Sequence, residues 1–184
     1  MRATVVGARR GSRKGAEAQG RKEGEGPAMR ESLAAVAVIR RQQDDGNTLW
    51  LAQWNSHWRR YHFVGGHKRP NESFHECMVR EVAEELQLTQ HVDCLVPDEP
   101  LAHLEYTAWS ESARAETAYT MELFEVELTG EAAVAKLDAD PKNRWLTPGE
   151  IRSLRCEDGQ LVSETMPLLL QKAGLWPQAD GPPA

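Results

Sequence analysis

A short apolar strand that ends in Gly65-Gly66 and runs directly into a strongly signalled helix constrains this chain more than any other feature. Ser73 and Glu76 stand at the S-x-x-E spacing of a capping box, which predicts a helix beginning at Ser73. Phe74, Met78 and Val82 then recur every four residues and form its buried stripe. Glu81, Glu84 and Glu85, at i, i+3 and i+4, project together on the adjoining face. Like charges so placed repel by about 0.2–0.5 kcal/mol per exposed pair, and burial makes the repulsion worse. A hard divalent cation such as Mg²⁺ or Mn²⁺ resolves the conflict, because it prefers carboxylate oxygens and sits among several of them. Arg80 supplies a guanidinium able to orient one carboxylate. Gly65-Gly66 allows close backbone approach to a ligand and lets carbonyls face a metal.

The rest of the chain reads as strands punctuated by turns. Residues 33–40 form a buried strand, and Asp44-Asp45-Gly46-Asn47 is turn chemistry leading to a second strand over 48–54. Residues 61–64 make the strand before the paired glycines. Residues 101–109 and 117–128 read as a hairpin around a polar turn, and the slip in apolar parity between Leu123 and Phe124 predicts a bulge. Trp145-Leu146 is a last short strand. Thr147-Pro148-Gly149-Glu150 combines an N-cap, a proline at the first helical position and a capping glutamate. A final helix spans 163–173 and closes at Gly174. The expected class is α/β, a mixed sheet between helices.

The longest apolar run, residues 33–39, is strand-sized and far short of the roughly 18 residues of a membrane span. The net charge of −6 is unevenly distributed. Residues 1–28 hold seven Lys/Arg against three Asp/Glu, a net of +4, which leaves −10 for the remainder. That acidic body argues against general nucleic-acid binding, which depends on broad phosphate neutralisation. The basic segment has too few large apolar side chains to offset its ordering entropy, so residues 1–29 are expected to be a disordered tail. Met29 stands where the pattern changes and where translation could begin. The globular domain is expected over 30–176, with a flexible C-terminal tail over 177–184. Cys77, Cys94 and Cys156 are odd in number and widely spaced, a pattern of neither disulfides nor zinc sites, and point to the cytoplasm.

Residues 66–88 resemble the Nudix box, G-x5-E-x7-R-E-U-x-E-E-x-G-U, with U a bulky apolar residue. Gly66, Glu72, Arg80, Glu81, Val82, Glu84, Glu85 and Leu88 fall on the pattern, and Gln87 replaces the family's second glycine. That position ends the helix, where a left-handed residue is common. Gln87 costs about 1 kcal/mol there or the turn is rearranged, and a slightly altered exit loop with an intact site is expected. The resemblance implies an α/β/α sandwich over roughly 30–176. It also implies metal-dependent hydrolysis of the pyrophosphate bond in a nucleoside diphosphate linked to another moiety. By that likeness Gly65, Glu81, Glu84 and Glu85 hold Mg²⁺ (or Mn²⁺), and Arg80 positions Glu81. One of these glutamates or another from a later loop is the general base, with Glu81 the first choice. Glu72 braces the loop or reaches a metal through water, and a homodimer is the common assembly.

Arg59, Arg60 and Lys68 are candidate contacts for the phosphates of a small-molecule diphosphate substrate, with Arg69 beside them. Trp50, Trp54, Trp58 and Trp109 could stack on a base or belong to the core. His62, His67 and His75 flank the box and could contact phosphate, but scattered histidines are more often surface residues. A fourth carboxylate could come from Glu111, Glu116, Glu122, Glu125 or Glu127. Two other classes compete with the hydrolase. One is a nucleotide-metabolite sensor without turnover, disfavoured by the complete set of box glutamates. The other is a diphosphate isomerase using Cys77, disfavoured because that residue lies near the buried side of the helix.

Overall fold

The computed structural model describes residues 29–44, 46–110 and 112–176. The segments 1–28 and 177–184, and with them the expected tails, lie outside the described residues. In chain order the first elements are β1 (Arg30–Val38), β2 (Arg40–Gln42), β3 (Thr48–Asn55), β4 (Arg60–His62), β5 (Gly65–His67) and α1 (Phe74–Leu86). Then follow β6 (Cys94–Leu95), β7 (Ala102–Ser110), β8 (Ala115–Glu125), β9 (Glu127–Leu128), α2 (Glu131–Ala139), β10 (Asn143–Leu146), α3 (Pro148–Ser153) and α4 (Thr165–Lys172).

Two sheets carry the architecture. One runs β5-β1-β8-β7 and is mixed, because β1 pairs parallel with β8 and antiparallel with β5. The other runs β10-β3-β2, with β4 added along β3, and is antiparallel throughout. Residues 33–40 were expected as one strand. The chain instead passes from the first sheet to the second at Ile39, whose carbonyl accepts from Leu51 while that of Val38 accepts from Val126.

Helices cover both faces of the mixed sheet. On one side Met78, Val82 and Leu86 of α1 pack with Ala35, Ala37 and Phe124. On the other, Ile151 of α3 and Met166 and Leu170 of α4 pack with Val36, Val38 and Leu123. A strand buried on both faces reads as a continuous apolar run, which is why Ala34 through Val38 are all buried. The same fact corrects the expected bulge. Leu123 and Phe124 stand in unbroken register with Val36 and Ala37, and each faces a different core.

The capping signals act as expected. Ser73 and Thr147 each accept from the backbone N–H three residues on, and Glu76 and Glu150 reach back to close both boxes. The last helix is shorter than expected, and Pro167 fits its first turn because the proline's missing N–H has no intrahelical partner there. Helix α2 went unread because it turns only Ala133 and Leu137 into the core, too weak a stripe to register. Among the described residues no helix is long and apolar enough to cross a membrane.

Candidate active site

The site is built where β5 meets α1. Lys68 N donates to Leu33 O and Ala37 N to Val64 O, so the hydrogen-bonded pairs of this ladder fall at 33/68, 35/66 and 37/64. Gly65 lies between such pairs, and its N–H and C=O therefore point away from β1. Its N–H lies close enough to the Glu85 carboxylate to favour the charged form, and its carbonyl points to the same edge of the strand. Gly65 is sterically required, and Gly66 leaves the room in which the Glu81 carboxylate sits. A Cβ on Gly65 would collide with the backbone of Ala35, and one on Gly66 would collide with the carboxylate of Glu81.

Arg80 organises the acidic groups. Its Nε donates to Glu72 Oε1 at 2.7 Å and its Nη2 to Glu72 Oε2 at 3.1 Å, a two-pronged grip. Nη1 donates to Glu81 Oε1 at 2.5 Å and to Glu84 Oε2 at 3.2 Å, and Nη2 reaches His67 O at 3.2 Å. Hydrogen bonding by Arg80, reinforced by the backbone N–H of Arg69, holds the Glu72 carboxyl down at about 2. Glu72 thus braces the loop before the helix, as expected from its place in the box.

The three remaining glutamates occupy different environments. Glu81 is buried against Gly66. Glu84 is exposed, and Arg69 Nη2 donates to it at 3.1 Å. Glu85 Oε2 is buried with no hydrogen-bond partner. Burial, and then the neighbouring charge of Glu81, push the Glu85 carboxyl above the usual carboxylate range. Among the described residues no three His, Cys, Asp or Glu groups are drawn together at metal-ligand spacing, since the arginines take up the free faces of Glu81 and Glu84. An orphaned carboxylate oxygen beside a second buried carboxylate and an outward glycine carbonyl is nevertheless a donor set suited to a hard cation.

Gln87 caps α1 in the left-handed conformation, φ 56° and ψ 29°, so the strained alternative holds and the helix exit keeps its turn. Gln53 of β3 donates to the Glu85 backbone carbonyl at 3.2 Å and to Asn143 of β10 at 3.1 Å, tying the second sheet to the end of the box helix. Sequence reasoning missed this tie, because only the strand pairing brings those three residues together.

The candidate phosphate contacts are not gathered in one place. Arg59 and Arg60 lie at the β3–β4 turn, whereas Lys68 follows β5 with its ammonium over the Phe74 ring at 5.9 Å. Of the tryptophans, Trp50 is core, Trp54 packs edge-on against Tyr61, and Trp58 and Trp109 are exposed. His62 is part-buried and its pKa is lowered by desolvation, His75 packs on Phe124, and His67 is exposed. Among the acidic alternatives, Glu125 is paired with Arg40 and Glu111 lies outside the described residues. Glu122 pairs with Ala35, which pairs with Gly66, so its side chain rises from the same sheet face as the site, two strands or about 10 Å away. Cys77 is fully buried, and desolvation raises its thiol to about 11; it faces the core rather than the position at a substrate that an isomerase reading would need.

Residues 31–165 match the family model of the NUDIX domain. The chain belongs to the NUDIX family. Its class of activity is that of a Nudix-type pyrophosphohydrolase, a hydrolase of acid anhydrides in phosphorus-containing compounds. Similar folds among solved structures include a mutT/nudix family protein from Listeria innocua, at 16% identity and TM-score 0.51, covering 78% of this chain and 91% of that one. A C. elegans Ap4A hydrolase in a binary complex aligns at 19% identity and TM-score 0.50, over 78% of this chain and 95% of that one. Shewanella oneidensis NrtR, complexed with a 27mer DNA, aligns at 14% identity and TM-score 0.51, over 77% and 59% of the two chains. These likenesses are of fold. A search of curated protein sequences gave no match.

Proposed function

We propose that the protein hydrolyses the pyrophosphate bond of a nucleoside diphosphate linked to another moiety, with Mg²⁺ or Mn²⁺ held by Glu81, Glu84, Glu85 and the Gly65 carbonyl. The observation that carries this reading is Glu85 Oε2, a buried carboxylate oxygen without a partner beside the buried Glu81. A buried carboxylate oxygen left without a partner is costly unless a cation completes it. Bound there, a divalent cation neutralises charge on the diphosphate oxygens and lowers the pKa of the attacking water.

The chain's own groups divide the remaining work. Arg80 fixes the Glu81 carboxylate, and Glu81 accepts the proton as the water oxygen attacks phosphorus and the anhydride P–O bond breaks. Glu84, exposed and paired with Arg69, would be the third carboxylate to hold the cation, and Arg69 would then be available to phosphate. Lys68, after β5, and Arg59 and Arg60, at the separate β3–β4 turn, bind substrate oxygens. Glu122, on the shared sheet face and paired there with His103, is a candidate additional carboxylate. Three unpaired cysteines support a reducing, cytoplasmic setting.

The test is nucleotide or phosphate release from a panel of diphosphate-linked nucleotides with Mg²⁺, Mn²⁺ or EDTA, wild type beside Glu84→Gln. Cleavage that needs the cation and is lost in the variant is the expected result. Tight binding of a panel member without turnover would instead make the chain a nucleotide sensor.

A further inference from the structure

The turn between β3 and β4 holds a cation and an indole in a built setting. Asn55 Oδ1 accepts from the backbone N–H of both His57 (2.9 Å) and Trp58 (3.0 Å), which fixes the turn. Arg59 is held left-handed at φ 54°, a conformation a non-glycine residue keeps only when its surroundings impose it. Trp58 is 53% exposed, and the Arg59 side chain has no hydrogen-bond or ion-pair partner among the described residues.

Opposite them stands the turn at 158–161. Tyr61 N donates to Leu161 O and Ser163 N to Tyr61 O, both at 2.8 Å, so this wall is stitched to β4. Between the two lies a cavity of about 430 Å³, lined by Trp54, Trp58, Arg59 and residues 158–161. That is the size range of small-molecule sites. Its one acidic group, Asp158, is already paired with Arg144 at 2.6 Å. The uncompensated charge of the cavity is therefore the guanidinium of Arg59.

An anion joined to a flat ring fits these groups: the ring on the Trp58 indole, the phosphate on the Arg59 fork. Trp58 is also linked to the box. Its ring stands edge-on to His62, centroids 5.5 Å apart, and His62 pairs across the ladder with Gln53, which donates to the Glu85 carbonyl. We infer that this cavity receives the base and adjoining phosphate of the substrate's nucleotide, with Trp58 and Arg59 as its specificity residues. The inference rests on the hydrolase reading for the word substrate, but nucleotide binding in the cavity does not.

The test is binding of AMP, CMP, GMP and UMP by calorimetry in EDTA, with inorganic phosphate as control, for wild type, Trp58→Ala and Arg59→Gln. KM is measured in parallel for the diphosphate that the wild type cleaves. Both side chains project into solvent, so unchanged thermal midpoints are expected. At least one monophosphate binds the wild type, and Trp58→Ala weakens it roughly tenfold, as expected for loss of one base stack. KM rises by a similar factor in both variants. The inference is overturned if no monophosphate binds, if Trp58→Ala binds as wild type does, if inorganic phosphate binds as well as the nucleotide, or if KM is unchanged. Absence of turnover throughout, with Trp58-dependent nucleotide binding retained, would refute the hydrolase reading and uphold the cavity as a nucleotide site.

Discussion

Replacing Gln87 by glycine isolates the cost of the one departure from the box. Gln87 sits at φ 56°, and a left-handed conformation costs an L-residue about 1–2 kcal/mol. Glycine removes that cost but adds about 0.4–1 kcal/mol of chain entropy in the unfolded state. The Gln87 side chain is exposed and makes no hydrogen bond among the described residues, so nothing else is lost. Leu86 and Leu88, both buried, hold the turn in place on either side. The balance is a gain of about 0.5–1 kcal/mol, or roughly 2 °C in Tm for a chain of this size. Urea unfolding at constant m-value measures it, with Gln87→Ala as control. Alanine pays the same left-handed penalty and is expected to match the wild type. If alanine stabilises as much as glycine, or if glycine gives no gain, the strain argument fails.

Gly66→Ala is expected to push the Glu81 carboxylate off its seat while α1 remains folded. A sharp fall in kcat with an unchanged circular dichroism spectrum would bear this out, and retained activity would refute it. Asp93 accepts from Lys136 Nζ at 2.7 and 2.8 Å and from Thr89 N at 3.0 Å, and these bonds, Lys136 first, hold its carboxyl below the ordinary value of 3.8. An acid depressed on folding stabilises above its unfolded pKa and loses that contribution as pH falls through the folded one. Asp93→Asn should therefore flatten the acid limb of stability below about pH 4, and an unchanged limb in urea melts would exclude the linkage.

The box helix was legible because each of its signals is local. Cap, apolar spacing and acidic face are set by residues within a turn or two of one another, and the structure starts α1 within a residue of where the cap put it. The strands were legible as segments but not in their partners. That β1 lies parallel to β8, and that the chain changes sheet at Ile39, depends on contacts about 90 residues apart in the chain, for which composition carries no sign. The parity slip at Leu123-Phe124 was seen but assigned to a bulge, because alternation assumes one wet face and this sheet has none there. In the site, the acidic residues and Arg80 could be named from spacing alone. That Arg80 grips Glu72 rather than Glu81 alone, and that Arg69 covers Glu84, follows from the fold of the 67–72 loop.

The cation site at Glu85 is tested most directly by Mn²⁺ titration of the purified protein, followed by electron paramagnetic resonance, for wild type and Glu85→Gln. In the absence of metal the variant should be at least as stable as the wild type, since it removes a buried charge repelled by Glu81. Its affinity for Mn²⁺ should fall by about tenfold or more, as one carboxylate ligand is lost. Equal affinity in the two proteins would contradict the assignment of Glu85 as a ligand and the account of the site built on it.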